Sequence, residues 1–361
     1  MNKKIIALAV TVATMASTAM AQTANPVTLY GRVYVAFENV RADGGTAAPV
    51  SSRNRVSNYG SSLLGVRGTE DLGGGLNAFF QLETEFRPDA AGTTFGNRNS
   101  GVGLQGDFGS LVLGRWDTPY KNVGQKYDQF NNTTLAGYTA VMADRGNFSR
   151  REQNVVQYWS PVFTGFQLRT SYTANEAKTA TVNPVVTSFS ANYDGGPVTV
   201  SYAYEKHKDI FKNYNAGVAN VAGGSETGHM LGASVKFGPM SVGGLVERFK
   251  KTGGGTTLTS DQRSQMFNVS YTAGKNEFVF QMQRSKNGAT RANAAAALAE
   301  PDSKVNAVGY FYRFSRRTTL VALYAVVKNN AFGQGNFGAT DLAIAAGQDP
   351  RGFAIGIRHT F

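Results

Sequence analysis

A chain of 361 residues with no cysteine must hold together without disulfides, and it excludes thiol catalysis and thiolate–zinc sites. Its three histidines (His207, His229, His359) are scattered, which argues against a histidine metal centre or a catalytic triad and leaves only carboxylate sites open; no cofactor is expected. The net charge of +12 comes from dispersed basic residues, a pattern that suits attraction of small anions better than nucleic acid binding.

Residues 1–21 have the form of a secretory signal peptide. Lys3 and Lys4 precede a short apolar run, and Ala19-Met20-Ala21 is a small-residue cleavage site. The remaining residues, 22–361, read as one domain. Past the leader no apolar run is long enough for a membrane helix. Instead, segments of period two recur. In the first, "VTLYGRVYVAF", Val27, Leu29, Gly31, Val33, Val35 and Phe37 share one face, and Thr28, Tyr30, Arg32, Tyr34 and Ala36 the other. "LNAFFQLETEF" sorts Leu76, Ala78, Phe80 and Leu82 against Asn77, Phe79, Gln81, Glu83 and Glu85. "GFQLRTSY" and "PVTVSYAYE" repeat the pattern. A strand places such alternating residues on two faces, whereas a helix scatters them.

The connections are of two alternating kinds. Seven short turns rich in Gly, Pro, Asp or Ser fall at 70–75, 106–110, 160–165, 193–197, 237–240, 272–276 and 314–318. Eight long segments lie near 40–56, 87–98, 116–150, 174–186, 206–227, 250–262, 286–303 and 328–350. Fifteen connections imply sixteen antiparallel strands with both ends on the short-turn side. This is the asymmetry of a transmembrane β-barrel; a soluble sandwich would not segregate its loop lengths so regularly. A bilayer tolerates no open sheet edge, so "RGFAIGIRHTF" must pair with the first strand. Sixteen strands are too many for side chains to fill, which leaves an aqueous lumen. Tyr202, Tyr204, Tyr310, Tyr312, Phe314 and Phe361 are candidates for interfacial aromatic girdles.

The phrases "VTLYGRV", "GVRGTEDLGGGLNAFFQLE", "GDFGSLVLGR", "QYWSP" and "IGIRHTF", in this order, resemble the betaproteobacterial (neisserial-type) general porins across residues 26–361. The resemblance implies a 16-stranded antiparallel transmembrane β-barrel, all-β, in the outer membrane. It implies a homotrimer set among outer-membrane lipid and lipopolysaccharide and inserted by the barrel-assembly machinery, with the terminal aromatic, Phe361, as assembly signal. The long third loop, 116–150, is expected to fold into the pore and narrow it. Small hydrophilic solutes and ions, with a modest preference for anions, are the expected cargo.

A pore selects by the charges at its narrowest point. The basic candidates are Arg32, Arg67, Arg98, Arg115, Arg151 and Arg169; the resemblance favours Arg98 and Arg151, with Arg67 at a commonly basic position. The acidic candidates are Glu83 and Glu85 on one strand face, and Asp117, Asp128 and Asp144 in the third loop. Glu83 and Glu85 could be read as the acid and base of a glycosidase, but pore-lining charge is the stronger reading. In "SLLGVRG", Leu63 stands where similar chains often carry arginine, which weakens the expected anion preference. The alternative is a substrate-specific channel or an adhesin; the inward aromatics Tyr30, Tyr34 and Phe79 are few for an aromatic sugar slide.

Overall fold

Period-two alternation produces a single sheet that meets itself. The computed structural model describes residues 26–361 except 59–61, 91, 93, 131–133, 144–146, 175, 214–216, 254–257, 292–301 and 339–341. The expected leader lies outside the described residues. The first six strands are β1 (Val27–Asp43), β2 (Val50–Ser57), β3 (Leu63–Gly73), β4 (Leu76–Glu85), β5 (Ser100–Gly106) and β6 (Gly109–Asp117). Then come helix α1 (Pro119–Tyr127), a 3₁₀ turn (Tyr138–Ala140), β7 (Arg151–Trp159), β8 (Phe166–Thr173), β9 (Val185–Gly195) and β10 (Val198–Asn213). The chain ends with β11 (Gly217–Phe237), β12 (Met240–Thr252), β13 (Leu258–Ala273), β14 (Asn276–Arg291), β15 (Asp302–Arg313), β16 (Thr318–Asn329) and β17 (Asp349–Thr360).

Every neighbouring pair is antiparallel, and β17 returns to β1 over the register Arg32↔Thr360 to Asp43↔Asp349. Both β2 and β3 pair with β1, β2 along its upper half and β3 along residues 27–32. They are two pieces of one stave, so the seventeen segments make a closed barrel of sixteen. All seven short turns occur as expected.

The long segments need correction at four places. Much of 40–56, 206–227, 250–262 and 286–303 is strand, because β1, β2 and β10 to β15 run on past the apolar band. There both faces turn polar, so the alternation that marks a strand disappears from the sequence. His207, expected in a loop, lies on β10.

The two faces differ as a bilayer requires. Leu29, Val102, Leu113, Leu168, Val246, Phe267, Val308 and Ile357 are exposed on one side. Gln157, Ser190, Ser201, Glu205, Gln281 and Gln283 are buried on the other. At the short-turn end aromatic residues cluster on the apolar face: Phe278 near Tyr310 (5.3 Å) and Phe314 against Tyr312 (5.1 Å). Tyr202, by contrast, bonds His229 Nδ1 at 2.9 Å away from that rim.

The seam ends on a specific contact. Gly31 and Phe361 exchange backbone hydrogen bonds of 3.1 Å in each direction. The Phe361 ring lies over Gly31 so closely that any Cβ there would collide with it and with the Leu63 carbonyl. Removing Phe361 therefore takes away the last two seam bonds and uncovers the outer face of β1. Deletion of Phe361, and Gly31→Val separately, should cut the yield of folded barrel seen as the heat-modifiable band on a denaturing gel, while molecules that do fold keep wild-type conductance. An unchanged folded yield for both would contradict this.

A basic cluster on β1 to β7 and the loop that meets it

β6 carries Asp117 at its end, and the chain turns at once into α1. Thr118 caps that helix, its Oγ1 accepting from Lys121 N at 3.3 Å, and Pro119 follows at the first helical turn, where its missing N–H costs nothing. The helix therefore starts two residues after Asp117, and Lys121 returns to it: Nζ stands 2.8 Å from Asp117 Oδ1. Arg151, opposite Asp117 in the β6–β7 register, approaches the same carboxylate at 3.0 Å. Asn99 completes the group, donating to Asp117 Oδ2 (3.2 Å) and accepting from Arg151 Nε (2.9 Å). Burial holds the Lys121 ammonium below its ordinary pKa, against the pull of Asp117 towards the charged form.

A second group lies beside the first. Arg98 Nε contacts Glu83 Oε1 at 2.6 Å and its NH1 lies 3.6 Å from Glu85. Tyr30 donates to Glu83 Oε2 (3.2 Å), and its ring rests on Gly65, where a side chain would collide with it. The Arg67 guanidinium stands 5.1 Å from the centre of the same ring. Arg32 lies within the fields of Arg98, Arg358 and Glu83. Leu63 sits in register between Arg32 and Glu85 on the polar side, an apolar gap in the row of charges. Five cations (Arg32, Arg67, Arg98, Lys121, Arg151) thus gather around three carboxylates (Glu83, Glu85, Asp117).

Three sequence candidates lie elsewhere. Arg115 shares the parity of the exposed Leu111 and Leu113 and donates to the Asn97 carbonyl at 2.9 Å. Arg169 is near the short-turn end, paired in register with Trp159 and 5.4 Å from its ring. Trp159 is eight residues along β7 from Arg151, which at about 3.3 Å per residue puts roughly 26 Å of strand between the two positions. Asp128 is a clamp inside the third loop: Oδ1 accepts from Phe130 N and Gln281 Nε2, and Oδ2 from Tyr138 N, all at 3.0 Å. Asp144 lies outside the described residues.

The third loop lies against the polar side of the wall. Tyr120 N donates to Ser188 Oγ, Tyr127 OH to Ser201 Oγ, Asn268 to the Tyr127 carbonyl, and Gln283 to the Ala136 carbonyl. Glu247 accepts from Ala143 N at 3.0 Å. The loop's Tyr127, Phe130, Leu135 and Phe148 are buried with wall residues Phe249, Met266, Phe311 and Val327. Wall glycines make room for the rings: Gly232 faces Tyr127, Gly309 faces Phe130 and Gly228 faces Phe148. His207 lies under Phe148 (4.4 Å between ring centres), held between Glu205 and Glu226 at 2.9 and 2.8 Å. The acid–histidine pairs were not legible in sequence, since Glu226 meets His207 only through the β10–β11 register.

Comparison with known proteins fits this geometry. A family model described as Gram-negative porin matches residues 7–331. The outer membrane porin protein 32 of Delftia acidovorans is 33% identical, with all of both chains covered. The major outer membrane protein P.IB of Neisseria meningitidis serogroup B is 31% identical over 60% of this chain and 62% of that protein. Among solved structures, an anion-selective porin from Comamonas acidovorans superposes with a TM-score of 0.77 at 28% identity, covering 93% of this chain and 100% of its own.

Proposed function

The chain belongs to the Gram-negative porin family of the outer membrane, and from that premise we propose that it forms a water-filled channel for passive diffusion of small hydrophilic solutes and ions, with a modest preference for anions. In this reading the polar side of the barrel is the lumen, the loop between β6 and β7 narrows it, and the cluster on β1 to β7 faces the remaining opening. The channel works as a homotrimer set among lipopolysaccharide, inserted by the barrel-assembly machinery with Phe361 as part of the signal. It turns nothing over.

The observation that carries the anion preference is the excess of five cations over three carboxylates. Arginine suits this task because its charge persists in any surroundings and its flat head stacks, as Arg67 does on Tyr30. The carboxylates keep the cations from repelling one another without cancelling them. A transiting anion meets fixed charges already held in place, so it exchanges part of its hydration for ion contacts at little reorganisation cost. The Comamonas structure, described as anion-selective, supports the same reading.

Reversal potentials of the purified protein in a planar bilayer under a salt gradient test the preference. The sign should correspond to faster anion passage, and the preference should shrink at high salt as the cluster is screened. A cation preference at low salt would overturn the proposal.

A further inference from the structure

We propose that the polar side of the wall at the short-turn end of β4 to β8 is a binding site for an acidic disaccharide, a chain of hydroxyls with one carboxylate at its end. The proposal rests on the channel reading for access to that side, and adds to it a ligand class and a site away from the basic cluster.

Register builds the site. Asn77, Gln105, Ser110, Trp159 and Arg169 stand directly opposite one another in one row across β4, β5, β6, β7 and β8. Their chain neighbours Leu104, Leu111 and Leu168 are exposed on the apolar face, so the row itself belongs to the polar one. An open cavity of about 460 Å³ runs along it, lined by the side chains of Asn77, Gln105, Ser110 and Gln167. A volume of this order suits a small hydrophilic molecule. The row covers four strand spacings, about 19 Å, too long for one sugar ring and suited to two.

The protein itself leaves these groups unused. The side chains of Asn77, Gln105 and Ser110 hydrogen-bond no described residue. Arg169 Nε donates to Gln167 Oε1 at 2.9 Å, and Gln167 is braced in turn on the Ser160 carbonyl at 3.2 Å. That contact fixes the guanidinium through one nitrogen and leaves its two terminal amino groups for a ligand. No carboxylate among the described residues pairs with Arg169: Asp194, whose field reaches it, is held by Lys126 Nζ at 2.7 Å.

Aromatic rings flank the cation. The guanidinium carbon stands 5.4 Å from the centre of the Trp159 ring. Phe79 stacks near the same indole (6.4 Å, 25°), and Trp116 meets it at 5.5 Å. Phe79 has room because Gly103 lies beneath it, where a Cβ would come within 2.5 Å of the ring. Phe79 and Trp159 remain only half-buried.

A simple anion needs only the cation, and a neutral sugar leaves the cation unanswered. An acidic disaccharide uses every part. Its carboxylate takes two parallel donors from Arg169. Its hydroxyls both donate and accept, as the amides of Asn77 and Gln105 and the Ser110 hydroxyl do. The C–H face of a sugar ring covers the apolar rings beside the arginine.

The chain has two tryptophans, so W116F leaves Trp159 as the only indole and a reporter inside the site. Its emission is followed in detergent-purified protein at fixed ionic strength while lactobionate, lactose and gluconate are titrated separately. Lactobionate should bind saturably and at least about tenfold more tightly than lactose, which lacks the carboxylate. Gluconate, with the charge but half the length, should fall between them. R169Q in this background should lower lactobionate to the level of lactose, and N77A/Q105A should lower it towards gluconate while leaving gluconate unchanged. If R169Q folds poorly, N77A/Q105A carries the test, since those side chains bond nothing in the protein. Lactobionate bound no more tightly than lactose or gluconate, or an affinity untouched by N77A/Q105A, would overturn the proposal. Ion passage by W116F in a planar bilayer is measured apart; its absence would count against the channel reading and leave the binding result standing.

Discussion

Replacing Arg98 and Arg151 together by glutamate should reverse the ion preference of the channel. The change leaves Arg32, Arg67 and Lys121 against five carboxylates. In bulk water two unit charges about 4 Å apart interact by roughly 1 kcal/mol, and more where the wall excludes water. A change of that size in the energy of a passing ion alters its local concentration about fivefold. Reversal potentials for R98E/R151E should therefore move to the cation side at low salt. The complementary variant E83Q/E85Q should move them further to the anion side. The two arginines are not equivalent in stability. Arg151 shares Asp117 with Lys121, so that carboxylate keeps a partner when Arg151 is lost. Glu83 holds Arg98 at 2.6 Å, so folding of R98E should suffer more, and the folded yield of each single variant reads that difference. If both variants leave the reversal potential in place, the cluster on β1 to β7 does not set selectivity.

Sequence carries the barrel but only part of the cluster, and the reason is geometric. Alternation such as Leu76 to Glu85 is local, so each stave inside the apolar band shows itself, as do the Gly-rich turns between them. Above the band the staves continue through stretches such as "EKHKD", polar on both faces, and local pattern no longer separates strand from loop. The break between β2 and β3 is likewise invisible, since both halves find the same partner, β1. The cluster depends on register. Glu83 and Arg98 belong to one connection and could be associated from sequence. Asp117, Lys121, Arg151 and Asn99 meet only because the bulge between Gly114 and Trp116 realigns β6 with β7. Gly114 adopts φ +145° there, and a Cβ at that site would strike the Ser100 carbonyl. Asp128 looks like any other loop acid; its use as a clamp follows from how the chain turns after α1.

The loop's role can be separated from its charge through the glycine sockets. Gly309 faces the Phe130 ring, and a Cβ there would lie 2.6 Å from it; Gly232 stands in the same relation to Tyr127. Valine at either position overfills the contact, at a typical cost of 1–3 kcal/mol for core overpacking. The wall is tied by ladder hydrogen bonds on both sides of each glycine. The loop is held by scattered side-chain bonds and ring packing, so it is the partner that gives way. G232V/G309V should therefore shift the loop off the wall and change single-channel conductance, with open-state noise rising as its anchors loosen. The folded band on gels should persist, and the sign of the reversal potential should stay, because no charge has changed. Phe130→Ala supplies the control. It vacates the space that valine at 309 requires, so F130A/G309V should fall closer to wild-type conductance than G309V does. Conductance and noise unaltered by G232V/G309V would mean that the 118–150 loop does not limit the passage, and the narrowing would have to be sought among the strands themselves.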